Sequence, residues 1–158
     1  MLEPARIRRQ FAEAAATYDA VAVVQRLAGD RLLERLPALR CQPQQVLDVG
    51  CGTGYVTWQL QRLYPKATIM GVDWAVPMLQ RARQGGRFWQ RNPVWICASG
   101  EQLPLPSASV DLVISNLMLQ WCPDWLTLLG EWRRVLRPGG ALLVTTLGAA
   151  TLHELRAS

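Results

Sequence analysis

The stretch LDVGCGTGYVTWQL, Leu47 to Leu60, decides how the rest of this chain is read. The apolar run that enters it, VLDVG from Val46, has the length of a buried strand. Gly50, Gly52 and Gly54 then stand at every second position, and the residues after them can start a helix. Glycines in a strand-to-helix turn take positive φ and let a ligand lie against the backbone, with the amides of the helix start pointing at it. A plain tight turn would use glycine as well, so the neighbouring segments have to separate the two.

Outward from the turn, short apolar runs alternate with helical stretches. Strands are predicted at 45–50, 67–73, 93–98, 110–115 and 141–147, and helices over Tyr55 to Leu63, Val76 to Arg83 and Trp125 to Leu136. The apolar runs lack a period of two, which implies a parallel sheet covered on both faces, a doubly wound α/β fold. In the last helix Trp125, Leu128, Leu129, Trp132, Val135 and Leu136 form one stripe, Asp124 can cap its start, and Pro138, Gly139 and Gly140 stop it. Before the sheet, Val21, Val24, Ala28 and Leu32 recur at spacings of three and four, so an amphipathic helix is expected from Tyr18 to about Leu36, closed by Pro37. A shorter helix precedes it around Arg6 to Ala16. The expected organisation is one domain over 1–158, with N-terminal helices in 1–40, an α/β core in 45–147, and 148–158 leading into a further part.

With 158 residues, half of them apolar, the chain can bury one core. No run approaches the roughly 20 apolar residues of a membrane span, and MLEPARIRRQF carries charges where a signal peptide is apolar, so a cytoplasmic protein without a membrane partner is expected. Cys41, Cys51, Cys97 and Cys122 show no CxxC spacing and His153 is the only histidine, which signals neither a metal site nor a disulfide framework. The net charge of +5 is almost wholly arginine, since Lys66 is the only lysine, and it favours acidic partners.

Asp73 ends the second apolar run and should lie at the tip of its strand beside the glycine turn. An acidic side chain there accepts hydrogen bonds from both ribose hydroxyls, although it could instead cap the next helix. Dinucleotide folds share these features, but their fingerprint is GxGxxG and this turn reads GxGxG, with Asp48 two residues ahead. A carboxylate at Asp48 suits a ligand carrying a positive ammonium or sulfonium better than a pyrophosphate. Asp48 could also hold the loop through backbone amides.

VLDVGCGTG, GVDWAVPML, ASGEQLPLPSASVDLVISN and LRPGG, in this order over Val46 to Leu147, resemble the motifs of the class I S-adenosylmethionine-dependent methyltransferases. The resemblance implies a Rossmann-like fold and S-adenosyl-L-methionine as cofactor, leaving S-adenosyl-L-homocysteine as product. It places Asp48, Gly50, Cys51, Gly52 and Gly54 around the methionyl part, Asp73 on the ribose, and Trp74 and Met78 beside the adenine. Ser99, Gly100 and Glu101 fall in the adenine loop, and Asn116 at the end of the fourth strand. Many members carry an acidic residue where this chain has Ser99, so the adenine edge would be met by a neutral hydroxyl or by backbone groups of Ala98 and Gly100.

The N-terminal QFAEAAATYDAVAVVQRLAGDRLLERL and the later SNLMLQWCPDWLTLLGEWRRVLRPGGALLVTTL resemble, more narrowly, the branch that methylates the malonyl carboxylate on acyl-carrier protein in biotin synthesis. That resemblance implies an acidic carrier protein as partner and no nucleic acid, with Tyr18, Gln25, Asn116, Gln120 and Trp121 as substrate-site candidates. Methylating a free carboxylate needs no general base, because the acceptor is anionic at neutral pH. Two other readings stay open: a methyltransferase of small acids or a cofactor-binding assembly-factor relative, and an inactive binding module. The family's sheet has two strands more than the five expected here, so a chain truncated after the fifth strand is expected, with an exposed edge that favours self-association.

Overall fold

The computed structural model describes residues 4–86 and 91–148, and His153 lies outside them. Five strands form one parallel sheet in the order β3-β2-β1-β4-β5: β1 Gln45–Val49, β2 Thr68–Asp73, β3 Val94–Cys97, β4 Val110–Asn116 and β5 Leu136–Thr145. The order reverses beside β1, so the carboxyl ends of β1 and β4 open the crevice where ligands of doubly wound sheets lie. β1 is buried along Val46, Leu47, Asp48 and Val49 because helices cover both of its faces, which is why its sequence shows no alternation.

The helices are α1 Pro4–Ala14, α2 Tyr18–Val21, α3 Val23–Leu33, α4 Tyr55–Leu63, α5 Val76–Arg83 and α6 Trp125–Val135. Leu128, Trp132 and Val135 of α6 are fully buried against Leu47, Val49 and Val113 of the sheet. Side chains of this size contribute about 1.5–3 kcal/mol each on burial. On the opposite face Leu32, Leu36, Val56 and Leu60 pack on Val46, Ile69, Leu112 and Ile114. Gly29 lets α3 approach α4 closely, since a Cβ there would stand 2.9 Å from Val56 Cγ2.

Three sequence expectations need correction. The helix expected over Tyr18 to Leu36 is broken at Ala22 (φ −78°, ψ 39°), ends at Leu33, and gives way to a 3-10 turn over Leu36–Leu39. The residue before Pro37 is sterically pushed away from α geometry. The expected stripe is only partly its buried face: Val21 and Val24 are exposed and Ala28 is half-buried, while Leu32 is buried as expected, together with Ala22, Gly29 and Leu36. Finally, α6 already ends at Val135, with Leu136 extended. Pro138, Gly139 (φ +79°) and Gly140 form an irregularity inside β5, between its pairings with Val110 and with Leu112. Trp125, assigned to the stripe, stands 53% exposed, whereas Asp124 caps the helix as expected by accepting from Thr127 N at 3.0 Å.

Candidate cofactor and substrate site

At the carboxyl end of β1 the chain turns sharply. Gly50, Gly52 and Gly54 adopt φ values of +73°, +54° and +84°, and the amides of Gly50 and Cys51 both donate to the Val72 carbonyl. Only glycine takes such a series without strain, but the three have different reasons for lacking a Cβ. At Gly50 it would collide with Met118 Cγ at 2.5 Å, and at Gly54 with Trp95 Cη2 at 2.7 Å. At Gly52 it would meet nothing within 4 Å and would project into open space. Gly50 and Gly52 line the cleft; Gly54, expected there too, faces Trp95 and Ala82 and starts α4.

Asp73 at the tip of β2 reaches across to the turn. Its Oδ2 accepts from Gly52 N at 2.9 Å and its Oδ1 from Ala75 N at 2.8 Å, so it both joins the turn to β2 and orders the entry to α5. Burial raises its pKa, while the amides of Ala75, Gly52 and Trp74 work against that rise. Each carboxylate oxygen has a second lone pair, and Asp73 lines the cleft, so acceptor capacity toward a diol remains.

Asp48 stands behind the glycine turn. Fully buried at the end of β1, it accepts from Thr57 Oγ1 at 2.6 Å in the first turns of α4. Burial pushes its pKa up to about 7; the Thr57 bond opposes the rise and the Asp73 charge adds to it. It borders a side pocket of about 50 Å³ with Tyr18, Arg26, Gly52 and Thr53, not the main cavity. Cys51 lines the same side pocket, where burial holds its thiol well above the usual range.

The main cavity, about 380 Å³, runs from Gly50 and Gly52 past Asp73 to the segment after β4. Trp74, Met78, Ser99, Gly100 and Glu101 line one part of it, and Tyr18, Gln25, Asn116, Gln120 and Trp121 another. All five substrate-site candidates therefore converge on one space. Asn116 is more firmly tied than its position suggests, donating to Gln25 O at 2.8 Å and accepting from Thr145 Oγ1 at 2.6 Å. Gln120 donates to Leu117 O at 2.7 Å, and Trp121 meets Phe11 edge to face at 5.4 Å between ring centroids. Tyr18 sits in both pockets, and burial with the nearby Asp73 and Asp19 charges raises its pKa, so its hydroxyl stays a donor at neutral pH.

The adenine-loop residues are braced from α6. Trp132 Nε1 donates to Gly100 O at 3.1 Å, and Arg134 pairs with Glu131 at 2.7 Å while donating to the carbonyls of Leu103 and Leu105. The Ser99 hydroxyl accepts from Glu101 N at 3.2 Å, and Glu101 Oε1 lies 2.7 Å from Cys122 Sγ. Sequence reasoning missed Phe11, Met118 and Cys122 as cavity walls and Thr57 as the partner of Asp48. Only the Asp48-to-Thr57 spacing across a strand-turn-helix could have signalled any of these.

A parallel five-stranded sheet with a glycine turn, an acidic second-strand tip and one shared cleft defines a Rossmann-like methyltransferase fold. Residues 47–144 match the family described as a methyltransferase domain, and the chain belongs to that family. It is 51% identical over 150 residues to a malonyl-[acyl-carrier protein] O-methyltransferase of Halorhodospira halophila, covering 95% of this chain and 50% of that protein. It is 44% identical to the protein of the same name from Methylovorus sp., covering 100% of this chain and 55% of that one. The chain spans about half the length of these curated relatives. In fold it is similar to the crystal structure of an S-adenosylmethionine-dependent methyltransferase from Aquifex aeolicus, with a TM-score of 0.69 at 20% identity, covering 91% of this chain and 72% of that one. The cofactor of this class is S-adenosylmethionine, and the cleft fits it: the open space over Gly52 is a cradle that a Cβ would fill, and the acidic tip of β2 stands beside it.

Proposed function

We propose that this chain carries the cofactor cleft and part of the acceptor site of a cytoplasmic carboxyl O-methyltransferase acting on malonyl-[acyl-carrier protein] in biotin synthesis. The observation that carries this reading is Tyr18, a half-buried donor at the junction of the two pockets, beside the glycine turn on one side and Asn116 and Trp121 on the other. The names of the two relatives support the acceptor.

In this reading Asp73 holds the ribose, Trp74 and Met78 flank the adenine, Ser99, Gly100 and Glu101 border its edge, and Gly50 and Gly52 face the methionyl part with Asp48 behind them. Bound there, S-adenosylmethionine supplies an electrophilic methyl on a sulfonium. The acceptor carboxylate needs no proton removed, so the chain's part is to bind, orient and exclude water. The Tyr18 hydroxyl donates to one carboxylate oxygen and leaves the other to attack, and Trp121 with Phe11 keeps the cleft apolar. The acidic carrier protein would be met by the arginine-rich charge of the chain.

The test is transfer of labelled methyl from S-adenosylmethionine to malonyl-[acyl-carrier protein], with malonyl thioesters and free dicarboxylates in parallel. Ester formation on the carrier-bound malonyl group is expected. Transfer only to free acids would replace the acceptor, and cofactor binding without any transfer would favour the assembly-factor reading.

A further inference from the structure

We propose that Cys122 is a positioning residue that ties the acceptor wall to the adenine loop, so that a ligand settling against the loop also sets Trp121; the inference rests on the cofactor reading above. The Cys122 thiol donates to Glu101 Oε1 at 2.7 Å, and both residues line the main cavity. Among the described residues no other donor reaches that carboxylate, and the approach of Cys122 Sγ to Asp124 O is longer, at 3.4 Å. Burial, and after it the Glu101 hydrogen bond, push the thiol pKa up to about 12, so the proton this contact needs is held at neutral pH.

The segment between β4 and Cys122 is short and tied to itself, so a displacement at one end reaches the other. It starts at Leu117, whose φ of +52° is a left-handed conformation that leucine rarely adopts and that its neighbours enforce. The Leu117 amide donates to Thr145 O at 3.0 Å, and its carbonyl accepts from Gln120 Nε2 at 2.7 Å. Trp121 N donates to Met118 O at 2.9 Å and Cys122 N to Leu119 O at 3.1 Å, which puts Gln120 and Trp121 on one compact turn. Met118 adds a second link: a Cβ at Gly50 would stand 2.5 Å from its Cγ, and one at Gly100 2.7 Å from its Cε. One side chain thus fills the space between the glycine turn and the adenine loop. Apolar packing of this kind allows sliding, whereas a hydrogen bond weakens steeply with distance and angle. A ligand that shifts residues 99–101 therefore acts on Trp121 through the Glu101–Cys122 contact.

The test is fluorine NMR of the chain labelled with 5-fluorotryptophan, with the Trp121 signal identified by Trp121→Phe, before and after saturation with S-adenosylhomocysteine. Binding is followed by calorimetry in parallel. Saturation should move the Trp121 signal in the wild type; Cys122→Ala should lose that movement, and Cys122→Ser, whose hydroxyl can donate to Glu101, should restore it. Glu101→Leu removes the same contact from the other side and should give the same loss, so the result does not depend on one variant folding. Movement kept in Cys122→Ala, or lost in Cys122→Ser as well, would overturn the inference. So would a wild type that binds the ligand without moving Trp121, and each of these results leaves the cofactor reading in place. Failure of the wild type to bind S-adenosylhomocysteine would overturn that reading and this inference together.

Discussion

The backbone amide of Gly52 donates to Asp73 Oδ2 at 2.9 Å, so the glycine turn after β1 and the acidic tip of β2 are one hydrogen-bonded unit. The carboxylate proposed to hold a ribose also sets the conformation of the turn that lines the cleft. In the proposed reading, binding and local stability are linked through this single side chain.

Asp73→Asn should show that link. Asparagine offers one acceptor oxygen where Asp73 serves two amides, so either Gly52 N or Ala75 N is left unpaired in a half-closed site. S-adenosylhomocysteine affinity and melting temperature should both fall, each by an amount corresponding to about 1–3 kcal/mol. Calorimetry and a thermal melt measure the two, and a fall in affinity at constant stability would show that Asp73 serves the ligand alone.

Gly52→Ala and Gly54→Ala should separate ligand contact from packing. Alanine at Gly52 meets no protein atom within 4 Å, so the cost to the fold is the left-handed backbone alone, about 1–2 kcal/mol, while binding should be lost more steeply. Alanine at Gly54 adds a collision with Trp95 at 2.7 Å and should lower stability further, with binding following only as far as the fold does. Melting temperature and affinity measured on both variants give the comparison.

Asp48 makes stability depend on pH in a defined direction. Its folded-state pKa of about 7 lies above its ordinary value of 3.8, so the folded chain binds the extra proton. The stabilising contribution is present below the lower value and lost as pH rises through the higher one. Asp48→Asn keeps an acceptor for Thr57 and carries no charge at any pH. Its melting temperature should exceed that of the wild type at pH 8 and approach it at pH 5, and equal differences at the two pH values would place the burial cost elsewhere.

Trp132→Phe should loosen the adenine loop without emptying the core. The ring volume is largely kept, but Gly100 O loses its donor, at a cost of about 1–2 kcal/mol. Amide hydrogen exchange should quicken over residues 99–103 more than in β1 or β4, whereas uniform quickening would mean that Trp132 acts through packing alone.

Much of the cleft was legible in the sequence because it depends on short-range pattern. The run from Val46 to Gly54 contains a strand, a glycine turn and a helix start, and Asp73 follows at the end of the next apolar run. The N-terminal region was less legible. A helical stripe over Val21, Val24, Ala28 and Leu32 is real as a spacing, but the helix breaks at Ala22, Val21 and Val24 stand outward, and Gly29 is buried beside Leu32. Nothing local in ATYDAVAVV marks that break, since Asp19 is placed by Thr53 and Arg81, and Gln25 by Asn116, from other elements.

Sequence alone determined the doubly wound parallel sheet, the strand tips and the positions of the glycines, because apolar periodicity and the steric freedom of glycine act within a few residues. Tertiary structure decided which glycines line the cleft, that Asp48 turns to Thr57, and that Tyr18, Asn116 and Trp121 share one cavity. These depend on which side chains arrive to fill or leave open the same few ångströms of space, from Thr57 one helix beyond Asp48 to Asn116 and Trp121 at the far end of the sheet from Tyr18 in sequence, and a one-dimensional pattern does not encode that directly.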